Sequence, residues 1–212
     1  MPEALRSIAP PKQARSEQTQ QRLLAAAEAL IAEDGLARVS VNDIVRRARS
    51  SVGGFYARFR DKDELLLALH ERFIAQLDER LEERTRPELW EGATLAEIVR
   101  PAIAEIVAIY FEKQKLIAAF TARAFHSTVT AQQGLGFRRR LLERVSALAL
   151  TRRGEIGHPQ PERAISMGLQ MLLGLMSQMV MIGELRVGGR ALSRDEITAE
   201  LTCAFLSYLQ VE

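Results

Sequence analysis

The chain has 212 residues, 47% of them hydrophobic, and a net charge of +2. That is enough apolar material for one or two packed domains, and 13 glycines with 7 prolines are too few for a disordered or glycine-rich array. The single cysteine, Cys203, excludes an internal disulfide, and with no basic-then-apolar leader at the start the expected compartment is the cytoplasm.

Met1 to about Glu17 carries Pro2, Pro10, Pro11, Lys12 and Arg15 and reads as an arm. A first helix is expected from Ser16 or Thr19 to Asp34. Leu23, Ala27, Leu30 and Ile31 form its apolar face, and Gly35 stops it. Ser40 and Asp43 then cap a short helix on which Val41, Ile44, Val45 and Ala48 repeat at one-face spacing. After a turn at Arg49 and Ser50, a second short helix carries Phe55 and Phe59 on one side. Asp61 and Glu64 are placed to cap a third, opening at Lys62. Two short helices joined by a tight turn are a helix-turn-helix, whose second helix can enter the DNA major groove. Val52, Gly53 and Gly54 occupy the first turn of that helix. Each glycine there costs roughly 1 kcal/mol against alanine, so close approach to another surface explains the pair better than folding does. Ser40 and Asn42, at a helix N-terminus, are further phosphate candidates. Residues 1–62 hold 11 Lys+Arg against 7 Asp+Glu, and 63–212 hold 18 against 20, so the basic excess lies with this segment.

Asp43, Ile44, Val45 and Ala48, followed by Ser51, Gly53, Phe55, Tyr56, Phe59, Lys62 and Leu65, resemble the DNA-binding signature of TetR-like (tetracycline-repressor-like) bacterial regulators. The resemblance covers Thr19 to about Leu69. It implies that Tyr56 and Lys62 contact phosphates and that Val52 and Gly53 approach bases, with Ser51 and Gly54 in the same helix start. It also implies a dimer on a near-palindromic operator, usually a repressor, released by a small molecule. The chain departs from the pattern at Arg49 and Ser50, where the family commonly has a turn glycine and a small apolar residue.

Beyond Lys62 the pattern predicts a larger helical domain over 63–212. A helix from Lys62 to about Arg84 keeps Leu65, Leu66, Leu69, Phe73, Leu77 and Leu81 on one side and is the candidate lever between domains. Thr94 and Glu97 cap a helix reaching about Glu112, with a kink or break expected at Pro101. Helices follow from Leu116 to about Ser127 and from Gln133 to Arg153. In the latter, Arg138, Arg139 and Arg140 read as a solvated face, and Gly154 ends it. Pro161 opens the next helix. Residues 164–183 carry no charge. Gln170, Gln178, Ser166 and Ser177 interrupt them and no polybasic flank marks an end, so a buried helix is expected rather than a membrane span. After Gly188 and Gly189, Ser193 and Glu196 cap a last helix with an apolar stripe. Helices 164–183 and 197–209 are the expected homodimer surface, pairing as a four-helix bundle. The whole is all-α, with about nine helices and no convincing strand.

No P-loop, dinucleotide fingerprint or zinc spacing is present, and His70, His126 and His158 form no ligand pair. No metal, cofactor or catalytic group is expected. Candidate walls for an effector pocket are Phe73, Tyr110, Phe120, Phe125, Met171 and Leu175, with His126 and Gln170 as orienting polar groups. His70 reads as a surface residue. Such walls suit a lipophilic ligand better than a charged one. The competing reading is a larger domain that binds a protein partner or only dimerises.

Overall fold

The computed structural model describes residues 12–211, with side chains from Ser16 onward. It is all-α, with two compact units, Met1–Leu69 and His70–Glu212. The boundary falls inside α4, past the Lys62 expected from the sequence.

The first unit holds α1 (Lys12–Asp34), α2 (Val41–Arg47), α3 (Val52–Tyr56) and the start of α4 (Lys62–Arg84). Because α1 begins at Lys12, Lys12 and Arg15 belong to a helix and not to the expected arm; residues 1–11 lie outside the described residues. The core is closed around Leu23, Ala27, Ile31, Ile44, Val45, Phe55, Phe59, Leu65 and Leu69, all buried. Phe55 and Phe59 pack with ring centroids 5.6 Å apart. Arg47 spans from α2 to Glu33 of α1 with two 2.6 Å bonds. Arg58 donates to the Ser16 carbonyl (3.1 Å) and to the Gly54 carbonyl (2.8 Å), which joins α1 to α3.

The second unit contains the rest of α4, then α5 (Leu95–Glu112), α6 (Gln114–Ala124), α7 (Thr128–Leu150), α8 (Pro161–Ile182) and α9 (Arg194–Leu209). α9 packs on α5 and α8, and α7 on α6 and α8. Their core includes Leu95, Val99, Ile103, Val107, Ile165, Leu169, Leu172, Met176, Ile197, Phe205 and Leu209. Gly168 permits the closest approach of α8 and α9: a Cβ there would sit 2.8 Å from the Phe205 ring.

Several expectations are corrected here. Of the kink or break expected at Pro101, the break does not occur: α5 is continuous from Leu95 to Glu112. Proline removes one backbone bond, and the buried row from Leu95 to Val107 holds the helix on both sides of it. α7 starts at Thr128 rather than Gln133, because Ser127 accepts from the Thr130 N–H. It ends at Leu150, before Gly154. Arg186–Val187 and Arg190–Ala191 form a two-stranded antiparallel hairpin. Gly188 (φ 59°) and Gly189 (φ 85°) both take the positive φ that a tight right-twisting hairpin turn requires. α8 is long and apolar enough to cross a bilayer, but it packs one face here. Ala164, Ile165, Leu169, Leu172, Leu173, Met176 and Val180 are buried, whereas Met167, Met171, Met181 and Ile182 are exposed. One face of α8 is thus covered within the chain, and the other is left open to something outside it.

Candidate nucleic-acid interface and ligand cavity

The helix-turn-helix is built from local hydrogen bonds. At the start of α2 the Ser40 hydroxyl accepts from the Asp43 N–H (3.2 Å) and donates to the Asp43 carboxylate (2.5 Å), which also accepts from the Ser40 N–H (3.1 Å). The Ser40 hydroxyl holds the Asp43 carboxyl below its ordinary value. Its proton is thus committed inside the cap. Asn42, exposed beside it, has no side-chain partner among the described residues.

α2 ends in a Schellman turn. The Ser50 N–H donates to the Val45 carbonyl (2.9 Å) and the Arg49 N–H to the Arg46 carbonyl (3.2 Å). Arg49 sits at φ 49°, in the left-handed region where the family pattern has glycine. The departure noted in the sequence therefore leaves the turn intact and places an arginine in a strained backbone position.

α3 follows at once. Ser51 caps it by accepting from the Gly54 N–H at 2.9 Å. Phe55 is fully buried, whereas Val52 is 45% and Tyr56 56% exposed. The two glycines have different reasons. A Cβ on Gly54 would lie 2.8 Å from the Ser50 hydroxyl and 3.2 Å from that of Ser51, so Gly54 serves the internal packing of the turn. A Cβ on Gly53 would meet nothing within 4 Å. Nothing among the described residues requires Gly53 to be glycine. Ser51, Val52, Gly53 and Tyr56 together present a bare, exposed helix start.

Lys62, a phosphate candidate by the resemblance, is engaged within the unit. Its ammonium donates to the carbonyls of Leu36 (2.9 Å) and Val39 (2.6 Å), at the 3-10 turn Leu36–Arg38 between α1 and α2. Two of its three N–H groups are thus used internally. The predicted capping box at α4 is half formed. Asp61 accepts from the Glu64 N–H (2.8 Å), but the Glu64 carboxylate turns to the Arg60 N–H (2.6 Å).

Residues 23–69 match the model of the bacterial regulatory proteins of the tetR family. This segment is a TetR-family DNA-binding domain. The chain that carries it is accordingly a DNA-binding transcriptional regulator. Solved structures share the fold over nearly the whole length. A protein of Mesorhizobium loti assigned to the TetR family of transcriptional regulators is 22% identical, with 92% of this chain and 97% of that one covered and a TM-score of 0.73. Salmonella enterica GusR is 20% identical, covers 97% and 100%, and gives 0.61. RolR, solved with resorcinol, is 21% identical, covers 95% and 92%, and gives 0.54. Among curated proteins none matches.

The second unit holds a cavity of about 830 Å³, lined from α4, α5, α6, α7, α8 and α9. Phe73, Tyr110, Phe120 and Phe125 line it as expected, Phe125 being 75% exposed. His126, Gln170, Met171 and Leu175 do not. On α8 the lining residues are Leu169, Leu173 and Ser177, four apart. Gln170 and Met171 are turned about 100° and 200° away from Leu169 around the helix. His126 is exposed just past the end of α6.

The histidine in this cavity is His70, only 4% exposed, which corrects its reading as a surface residue. Its ring meets Phe120 edge-on at 4.7 Å, and its Nδ1 lies 2.8 Å from Gln133 Oε1. Burial pushes its pKa below the ordinary histidine value of 6.5. Sequence order hides this, because the α4 turn that holds His70 faces Gln133, 63 residues on. Other bridges carry α4 across to its neighbours: Arg140 to Asp78 (2.9 and 2.5 Å) and Arg84 to Glu105 (3.1 Å). The arginine run is thus not simply solvated, since Arg138 lines the cavity and Arg140 is paired.

Proposed function

We propose that the chain is a cytoplasmic, homodimeric repressor that places α3 in successive major grooves of a near-palindromic operator and leaves it when a lipophilic ligand fills the cavity. The observation that carries the DNA reading is the exposed start of α3, where Gly53 is bare for no internal reason. Val52 and Gly53 approach base edges, Tyr56 and Asn42 the phosphates, and Lys62 fixes the frame from which they project. Dimerisation through 164–183 and 197–209 is supported by the exposed methionines of α8, adaptable residues suited to a subunit interface.

Effector control is supported by a cavity with mostly apolar walls in a fold whose member RolR was solved with resorcinol. A ligand that prefers one arrangement of α4 lowers operator affinity by its difference in affinity between the two states. Sequencing genomic DNA retained by the purified protein tests the reading. Recovery of a palindromic site supports it. Recovery of random fragments, or a folded monomer in light scattering, contradicts it.

A further inference from the structure

We propose that the ligand of this cavity is a lipophilic carboxylic acid, its apolar body among Phe73, Phe120, Leu169 and Leu173 and its carboxylate at Arg80 and Arg138. The inference rests on the reading of the cavity as an effector site and adds the charge of the effector.

The body of the ligand follows from size and walls. About 830 Å³ lies toward the upper end of the range for drug-sized molecules. The residues named are buried and apolar and offer no polar partner.

Its head follows from a charge imbalance. The lining carries three arginines, Arg80, Arg84 and Arg138, against one acidic residue, Glu105. Glu105 is already engaged by Arg84 at 3.1 Å. Among the described residues neither Arg80 nor Arg138 has an ion-pair or hydrogen-bond partner. Acids are not lacking on α4: Asp78 pairs with Arg140, half a turn along α7 from Arg138. Glu79, Glu82 and Glu83 are exposed and do not line the cavity. Two guanidiniums therefore border an apolar space without a counter-charge, an arrangement that a carboxylate relieves and an amine worsens. A neutral ligand offers neither guanidinium a counter-charge.

The order of exposure matches such a molecule. Arg80 is exposed and Arg138 half-buried, whereas the apolar walls are covered. The acid head thus stays near water and the body enters the cavity. Because Arg80 stands on α4 and Arg138 on α7, one carboxylate links the two helices, alongside the existing Asp78–Arg140 bridge. His70 adds no charge of its own near neutrality, since burial favours its uncharged form.

The test uses the full chain with four probes: Nile red, dodecanoate, methyl dodecanoate and dodecylamine. Nile red is neutral and reports the cavity itself; Phe120→Trp is expected to exclude it. Each other probe is titrated as a competitor, below its aggregation concentration. Dodecanoate is expected to bind at least about tenfold more tightly than its methyl ester, the order of a charge-assisted contact, and dodecylamine more weakly still. Arg80→Gln with Arg138→Gln brings the acid to the level of the ester, each read as displacement of Nile red from the same variant, and the paired lysine substitutions keep the preference for the acid. Equal binding of acid and ester, tighter binding of the amine, or Nile red binding with no displacement by any of the three overturns the acid proposal and leaves a cavity for another lipophilic ligand. Failure of Nile red to bind the folded protein overturns the effector site as well.

Discussion

In the DNA-binding unit, α2, α3 and α4 each begin at a Ser or Asp oxygen that accepts from the backbone N–H three residues on. The side chains of that unit cover Phe55 completely. In the larger unit, the 70–84 part of α4 meets α5 and α7 through Arg84–Glu105, Gln133 and Asp78–Arg140, and a cavity takes the place of continuous packing. The first arrangement fixes one geometry. The second leaves a space whose filling changes what α4 touches. A recognition surface needs the former and a ligand-responsive element the latter.

The largest expected effect breaks the closed core. Phe55→Ala should destabilise the first unit by about 4 kcal/mol, read as a drop in its urea midpoint. Enlargement sharpens the contrast. Phe55→Trp should cost about 1–3 kcal/mol by overpacking, whereas Phe120→Trp should cost well under about 1 kcal/mol, because it grows into existing space. Equal costs for the two tryptophans would remove the distinction.

Next is Lys62→Ala, expected to cost about 2 kcal/mol because it strips two carbonyls of a charged donor. It should also weaken DNA binding. If Lys62 served phosphate alone, stability would not move, and the salt slope would fall by about one charge.

Arg49→Gly should stabilise the first unit by about 1 kcal/mol, since glycine accepts φ 49° without strain. A loss of stability would show that the arginine side chain holds the turn.

The smallest effect is a pH slope. His70 has a lowered folded pKa, so its contribution is fully present above the unfolded value of 6.5. As pH falls below that value the unfolded state binds a proton that the folded state refuses. The contribution is lost until pH reaches the folded pKa. His70→Gln should flatten this part of the stability curve while leaving the slope of the first unit unchanged.

The same contrast explains what the sequence reveals. The pairs Ser40 with Asp43, Thr94 with Glu97 and Ser193 with Glu196 form their capping boxes as read, because each is complete within four residues. The turn at Arg49 is legible from the same local rules despite the missing glycine. α7 is misplaced at its start because the Ser127 cap lacks an acidic partner three residues on. In the cavity, legibility fails for a longer-range reason. Phe73 and Phe120 lie on clear apolar faces, but Gln170 and Met171 depend on the rotational phase of α8, which packing with α7 and α9 sets. Arg138 and His70 gain their settings from helices about 60 residues away in sequence, and no local pattern encodes that.

The central claim is that the bare start of α3 lies against DNA. Gly53→Leu tests it most directly, because the added side chain meets no protein atom within 4 Å of its Cβ and replaces a glycine in a helix. Thermal unfolding and operator affinity are measured on the same preparation by calorimetry and fluorescence anisotropy. Stability is expected to be unchanged or raised by up to about 1 kcal/mol, with operator affinity at least about tenfold weaker. A Gly53→Leu protein that folds normally and binds the operator as tightly as the original contradicts the claim.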